Sequence, residues 1–138
     1  MYYKYLDHPV PPQELLLDLH SVRQLPNIFG GATKNYTIHE CPDELAEWLR
    51  GIFPEYTKFR YQTLTRDIPC HVDRGREIAI NYLIDAGGTD VSTVWYSDEF
   101  GDKLEETIVE AGRWHQLQVD QWHTVHGITG DRFALTIA

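Results

Sequence analysis

The residues able to do chemistry fall in two stretches. In the first, Ile68-Pro-Cys-His-Val-Asp-Arg-Gly-Arg-Glu-Ile-Ala-Ile-Asn-Tyr-Leu-Ile84, His71 and Asp73 stand two positions apart. Side chains alternate along a strand, so an imidazole and a carboxylate at this spacing share one face. A pair this short arises often by chance and gains meaning only with a third ligand. The second stretch, Trp122-His-Thr-Val-His-Gly-Ile-Thr-Gly-Asp-Arg-Phe-Ala-Leu-Thr-Ile137, offers His123 and His126. Two imidazoles and one carboxylate on a β scaffold make the facial triad that holds non-haem Fe(II) and leaves three octahedral positions open. His123 and His126 differ in parity, so a regular strand turns only one of them toward a metal. Beyond the Thr129-Gly-Asp131 turn, Arg132, Ala134 and Thr136 alternate with Phe133, Leu135 and Ile137. An Arg beside small residues suits a polar lumen, where its planar fork holds a carboxylate bidentately. The competing reading is a solvated Arg on an edge strand.

The elements that must position these groups follow from periodicity. From Thr57 onward the chain runs as short β-rich segments separated by Gly, Asp and Asn. Strands are predicted near Lys58–Leu64, Cys70–Asp73, Glu77–Ile84, Ser92–Tyr96, Glu105–Val109, Gln116–Val119, Trp122–Ile128 and Arg132–Ile137, with turns at Asp85–Asp90, Phe100–Asp102, Ala111-Gly112 and Thr129–Asp131. About eight strands at this spacing indicate a sandwich or barrel. Residues 1–56 read as a small helical cap. Pro12 starts a helix over Gln13–His20, and Cys41–Arg50 forms a second whose Leu45, Trp48, Leu49 and Ile52 recur at helical spacing. The Gly-containing stretch Asn27–Tyr36 between them reads as loop or short strand. The expected architecture is a mainly β, jelly-roll (double-stranded β-helix) single domain, residues 57–138 forming the barrel.

The order HxD, a distal His some fifty residues on, and an Arg beyond a tight turn resembles the 2-oxoglutarate and Fe(II)-dependent oxygenase superfamily. More closely, IPCHVDRGREIAINYLI, VSTVWY and WHTVHGITGDRFALTI are similar to short oxygenase-like proteins with HxDxxR…LN and H-x-V…R-x-x-L signatures. The match runs from about Arg60 to the C-terminus. It implies that His71, Asp73 and His123 hold iron and that Arg132 pairs with the distal carboxylate of 2-oxoglutarate. His123 stands two before Val125 and nine before Arg132, as the family pattern has it, so His126 ranks second. The implied activity is a dioxygenase, a hydroxylase that couples attack on a C–H bond to decarboxylation of 2-oxoglutarate to succinate. Fe(II) with one carboxylate and two neutral imidazoles keeps a charge near +1, suited to chelating a 2-oxo acid. The far carboxylate, buried in a barrel, needs a cation.

Further contacts are open at this level. Asn81, between Ile80 and Tyr82, either bonds to neighbouring strands or touches the cosubstrate, since a buried amide needs partners. Tyr61 and Gln62 reach the cosubstrate according to which of them faces inward, and Tyr61 is the candidate carried forward. Arg74 and Arg76, directly after Asp73, either form an ion pair at the mouth, bind an acidic substrate group, or are solvated turn residues. His8, His20 and His39 show no metal spacing and read as surface or structural, His115 beside Trp114 reads as structural, and Trp95, Tyr96, Trp114 and Trp122 read as core packing or as the rim of an opening.

Composition bounds the rest. The 138 residues allow one domain, and 42% hydrophobic content supplies a packed core. With 12 Lys and Arg against 21 Asp and Glu, the formal charge of −9 disfavours nucleic acid and anionic membrane as partners. Cys41 and Cys70 form no CxxC, and no segment has the length of a signal peptide core or a membrane span, so a cytoplasmic protein with reduced thiols is expected. So short a chain has little left for a substrate lid. A small molecule, a protein side chain, or a pocket completed by the second copy of a homodimer all suit an open site. Two other classes compete: a non-catalytic jelly-roll binding or structural module, and a cupin-like metalloenzyme that does not use 2-oxoglutarate.

Overall fold

The computed structural model describes residues 1–29 and 35–138. Their strands are β1 (Tyr3–Tyr5), β2 (Tyr36–Glu40), β3 (Phe59–Leu64), β4 (Ile68–His71), β5 (Ile78–Asp85), β6 (Ser92–Tyr96), β7 (Lys103–Thr107), β8 (Trp114–Gln118), β9 (His123–His126) and β10 (Arg132–Ile137). They form a six-stranded antiparallel sheet in the order β1-β8-β5-β10-β3-β2 and a four-stranded one in the order β4-β9-β6-β7. From β3 on, the chain passes back and forth between the two sheets, which is the double-stranded β-helix. The eight strands expected after residue 57 are all present, most with ends moved by one or two residues.

The N-terminal segment differs from the helical cap expected over residues 1–56. It contributes both edge strands of the large sheet, β1 on β8 and β2 on β3. Three residues are too few for periodicity to flag β1, which is held by Tyr2 and Tyr3 stacking on Trp95 at 5.8 and 6.2 Å. The helix expected over Gln13–His20 is instead a single 3-10 turn, Gln13–Leu15, followed by extended Leu16 and then α1 (Leu19–Gln24). Asp18 decides this: its side chain accepts the Ser21 N–H at 2.8 Å, making it the N-cap of α1 rather than an interior residue. The second helix, α2 (Asp43–Ile52), begins after Pro42, carries Asp43 and Glu44 in its first turn, and buries Leu45 and Leu49. Of the stretch Asn27–Tyr36, residues 30–34 lie outside the described residues, and Tyr36 starts β2.

The large sheet has apolar material on both faces. Outward, Tyr61, Ile80, Tyr82, Phe133, Leu135 and Ile137 meet Val22, Leu45, Leu49 and Phe53 of the helical layer. Inward, Ala79, Leu83, Leu117 and Ala134 face the small sheet. Trp95 and Trp114 are fully buried packing residues. The inward side chains of β5 and β10 include Ala79, Asn81 and Ala134, which are too small to fill the space between the sheets, and the barrel is hollow there. Cys41 and Cys70 are both free thiols. Among the described residues no helix is long and apolar enough to cross a membrane.

Candidate metal centre

β4 and β9 are hydrogen-bonded neighbours, and their register sets His71 directly opposite His123. Asp73 follows β4 and is tied in place by its N–H, which donates to the Val119 carbonyl at 2.7 Å just past β8. His71 Nε2 lies 3.2 Å and His123 Nε2 3.7 Å from the same oxygen, Asp73 Oδ1. One donor atom from each of the three side chains lies within 4.8 Å of the others. A first-row cation about 2.1 Å from each ligand wants adjacent donors about 3 Å apart; His71 Nε2 and Asp73 Oδ1 stand near that spacing, and His123 Nε2 has to draw in.

The outer contacts aim these donors. His71 Nδ1–H donates to the Pro69 carbonyl at 2.8 Å, and His123 Nδ1–H to the Gln121 carbonyl at 2.7 Å. A carbonyl only accepts, so Nδ1 carries a proton in both rings and Nε2 is the nitrogen turned to the triplet; in His71 it hydrogen-bonds Asp73 and must be free of its proton to take a metal. Asp73 Oδ2 accepts from Arg76 Nε at 3.0 Å and Nη2 at 2.8 Å, leaving Oδ1 for the histidine side. Burial works to raise the Asp73 pKa, but the hydrogen bonds from His71 and Arg76 and the Arg76 charge outweigh it and hold the carboxyl at about 2. Burial lowers the His123 pKa, favouring the neutral ring that a metal requires, whereas the Asp73 hydrogen bond raises that of half-exposed His71. The donor set fits a divalent cation of the Fe(II) type.

The triplet opens onto a cavity of about 100 Å³ between the sheets. Arg132 lines it and is 7% exposed. It sits beside the far end of β5, donating from Nη1 to the Ala86 carbonyl at 3.1 Å, whereas Asp73 leads into the near end. Burial pulls its pKa down to about 10, so it stays cationic at neutral pH, and among the described residues no carboxylate pairs with it. Gly87 holds this position: at φ +78° it brings its backbone against Arg132, where an added Cβ would stand 2.8 Å from Arg132 Cβ and N. The same cavity receives Asn81, whose Oδ1 is buried without a hydrogen-bond partner, and Thr93, whose hydroxyl is likewise unpartnered. The cavity wall thus holds a buried cation together with polar atoms whose hydrogen-bonding capacity is unmet.

Two expected site residues fall elsewhere. Tyr61 does not line the cavity. It is wholly buried under the helical layer, its hydroxyl accepting the Leu17 N–H at 3.0 Å, and its neighbour Gln62 faces inward instead. His126, the second choice for the distal ligand, is exposed on the opposite face of β9 with Nδ1 3.1 Å from Asp67 Oδ2. Of the alternatives open for Arg74 and Arg76, the ion pair is the one Arg76 makes, with Asp73, while Arg74 is exposed. His115, read as structural, is 1% exposed and lines the cavity, because β8 begins at Trp114 and puts His115 on the inward parity with Leu117.

Fold and site together define a double-stranded β-helix protein carrying a two-histidine, one-carboxylate triplet at the open end of an internal cavity. Compared with known proteins, the chain matches no family model and no curated protein sequence. Among solved structures, it is similar to an oxidoreductase of the 2OG-Fe(II) oxygenase family from Burkholderia pseudomallei, with TM-score 0.53 and 10% identity over 88% of this chain and 78% of that one. A predicted oxalate decarboxylase from Thermotoga maritima aligns with TM-score 0.42 and 13% identity over 74% of this chain and 77% of that one. At such identity the first likeness establishes the fold.

Proposed function

We propose that this protein is an Fe(II)- and 2-oxoglutarate-dependent dioxygenase acting as a hydroxylase. The observation that carries the reading is one cavity lined by both groups: His71, Asp73 and His123 converge on it, and so does the buried cation Arg132, which no carboxylate pairs among the described residues. His71 and His123 would offer Nε2 to the metal, Asp73 would supply the single negative charge, and Arg76 keeps that carboxylate oriented and ionised. Iron bound there with 2-oxoglutarate supplies dioxygen chemistry that yields succinate and carbon dioxide while oxidising a C–H bond. Arg132 neutralises the distal carboxylate, and the apolar wall of Leu64, Leu83 and Leu117 excludes water around the cosubstrate's methylenes. The half-exposed side of His71 and Arg76 leaves the opening for a small molecule or a protein side chain.

The test is anaerobic titration of the Fe(II)-loaded protein with 2-oxoglutarate, following the visible charge-transfer band of the chelate. The band should form with the intact protein and with His126→Ala, and both iron and band should be lost with His123→Ala. Iron binding without the band would instead favour a cupin-like metalloenzyme that does not use 2-oxoglutarate. Failure to bind iron at all would favour a non-catalytic jelly-roll module.

A further inference from the structure

Three histidines of this chain place Nδ1 toward the carbonyl two residues earlier, but not equally. For His71 and His123 the distances are 2.8 and 2.7 Å, short enough to fix the proton on Nδ1. For His115 the distance to the Arg113 carbonyl is 3.5 Å, at the limit of a hydrogen bond. That contact gives the His115 proton little reason to stay on Nδ1, and Nε2 has no hydrogen-bond partner among the described residues.

Its surroundings restrict what the free nitrogen can serve. His115 is 1% exposed, lines the cavity, and is paired in register with Asn81 of β5. Burial, with the Arg132 charge adding to it, keeps the ring neutral against the pull of the Arg113 carbonyl. A second cation beside Arg132 is thereby avoided, yet a neutral imidazole can still donate one hydrogen bond. Thr93, 1% exposed with an unpartnered hydroxyl, faces the same cavity from the small sheet. Arg132 spends one of its donors on Ala86 and keeps the others for a guest.

Building on the 2-oxoglutarate reading, we propose that His115 is a specificity-determining residue, donating from Nε2–H to the distal carboxylate alongside Arg132. The pocket would then select a dicarboxylic 2-oxo acid through one cation and one neutral donor. The tautomer with the proton on Nε2 is available to His115 because its Nδ1 contact is weak, and is denied to His71 and His123, whose Nε2 must stay bare for metal.

The experiment compares 2-oxoglutarate with 2-oxopentanoate, which keeps the 2-oxo acid end and the five-carbon chain but lacks the distal carboxylate. Each is titrated anaerobically into the Fe(II)-loaded full chain. Wild type should bind 2-oxoglutarate far more tightly. His115→Leu should weaken 2-oxoglutarate about 10- to 100-fold, the loss expected for a hydrogen bond to a charged group, while changing 2-oxopentanoate and Fe(II) affinity less than about threefold. His115→Gln, which keeps an N–H donor, should recover most of the preference. A purely structural role would weaken both ligands alike. Preference retained in His115→Leu, or equal weakening of the two acids, overturns the assignment of His115. A wild type with no preference overturns the 2-oxoglutarate reading itself. Should the Leu variant not fold, nitrogen-15 spectra of the wild-type ring decide: in the 2-oxoglutarate complex the neutral ring should carry its proton on Nε2, and a proton on Nδ1 there refutes the assignment.

Discussion

An imidazole buried beside a guanidinium makes the protein's stability depend on pH in a calculable way. Burial first, and the Arg132 charge with it, lower the His115 pKa from 6.5 to about 4. Below pH 6.5 the unfolded chain therefore takes up a proton that the folded chain refuses until about pH 4. A depressed folded-state pKa contributes stability that is fully present above the unfolded value and is lost as pH falls through the folded one. The gap between 6.5 and about 4, at 1.36 kcal/mol per pH unit, amounts to about 3 kcal/mol. Against a total of about 5–15 kcal/mol for a typical domain, that is a sizeable fraction. Urea unfolding of the metal-free protein from pH 8 to pH 4 measures it, with His115→Gln as the reference. Other titrating groups act equally in both proteins and cancel. Wild type should lose about 3 kcal/mol more than the variant between pH 7 and pH 4, whatever their offset at pH 8. Parallel profiles would show that the ring is solvated or charged in the folded state, and the account of the cavity's interior would fail with it.

Three further outcomes test the site. Arg132→Ala should weaken 2-oxoglutarate by about 2–4 kcal/mol in a calorimetric titration while iron stays bound, because one member of a buried charge pair is removed; equal loss of iron would refute its role. Arg76→Met should lower metal affinity about 10- to 100-fold in competition with a chelator, since it frees the Asp73 oxygen that Arg76 holds at 2.8 and 3.0 Å; unchanged affinity would mean that Asp73 needs no orienting partner. Gly87→Ala should cost about 1–3 kcal/mol in chemical denaturation, because the residue sits at φ +78° and its Cβ would press on Arg132; an undiminished midpoint would refute the close approach.

The parts of the architecture that the sequence makes legible are those with a long period or a strong breaker. β5 and β10 alternate over eight and six residues and are found nearly to the residue, and α2 announces itself through Pro42 and the Leu45, Leu49 spacing. Parity also separates His123 from His126 before any coordinates. What fails is parity without an anchor. In β3 both Tyr61 and Gln62 suit an inward position, and only the helical layer beyond the sheet shows that the large aromatic belongs outside. In β8 a start placed two residues late hides His115, although its alternation with Leu117 and Val119 holds the signal. The ion pair open to Arg74 and Arg76 in the sequence falls to Arg76 alone, and the choice follows the turn through Gly75 at φ +86°, a backbone feature with no periodicity. β1 and β2 are edge strands whose pairing partners lie twenty or more residues away, and local pattern carries little of that.

The large sheet's two faces divide labour residue by residue. Along β5, Ile80 and Tyr82 anchor the helical layer, while Ala79, Asn81 and Leu83 between them line the cavity. Fold maintenance and ligand contact are thus interleaved in one strand yet separated by the thickness of the sheet. Selection or a designer can then rewrite every second position to accept a different guest while the scaffold's main packing stays untouched. Tolerance to mutation along β3, β5, β8 and β10 should accordingly alternate with a period of two: outward positions constrained by size, inward ones by chemistry.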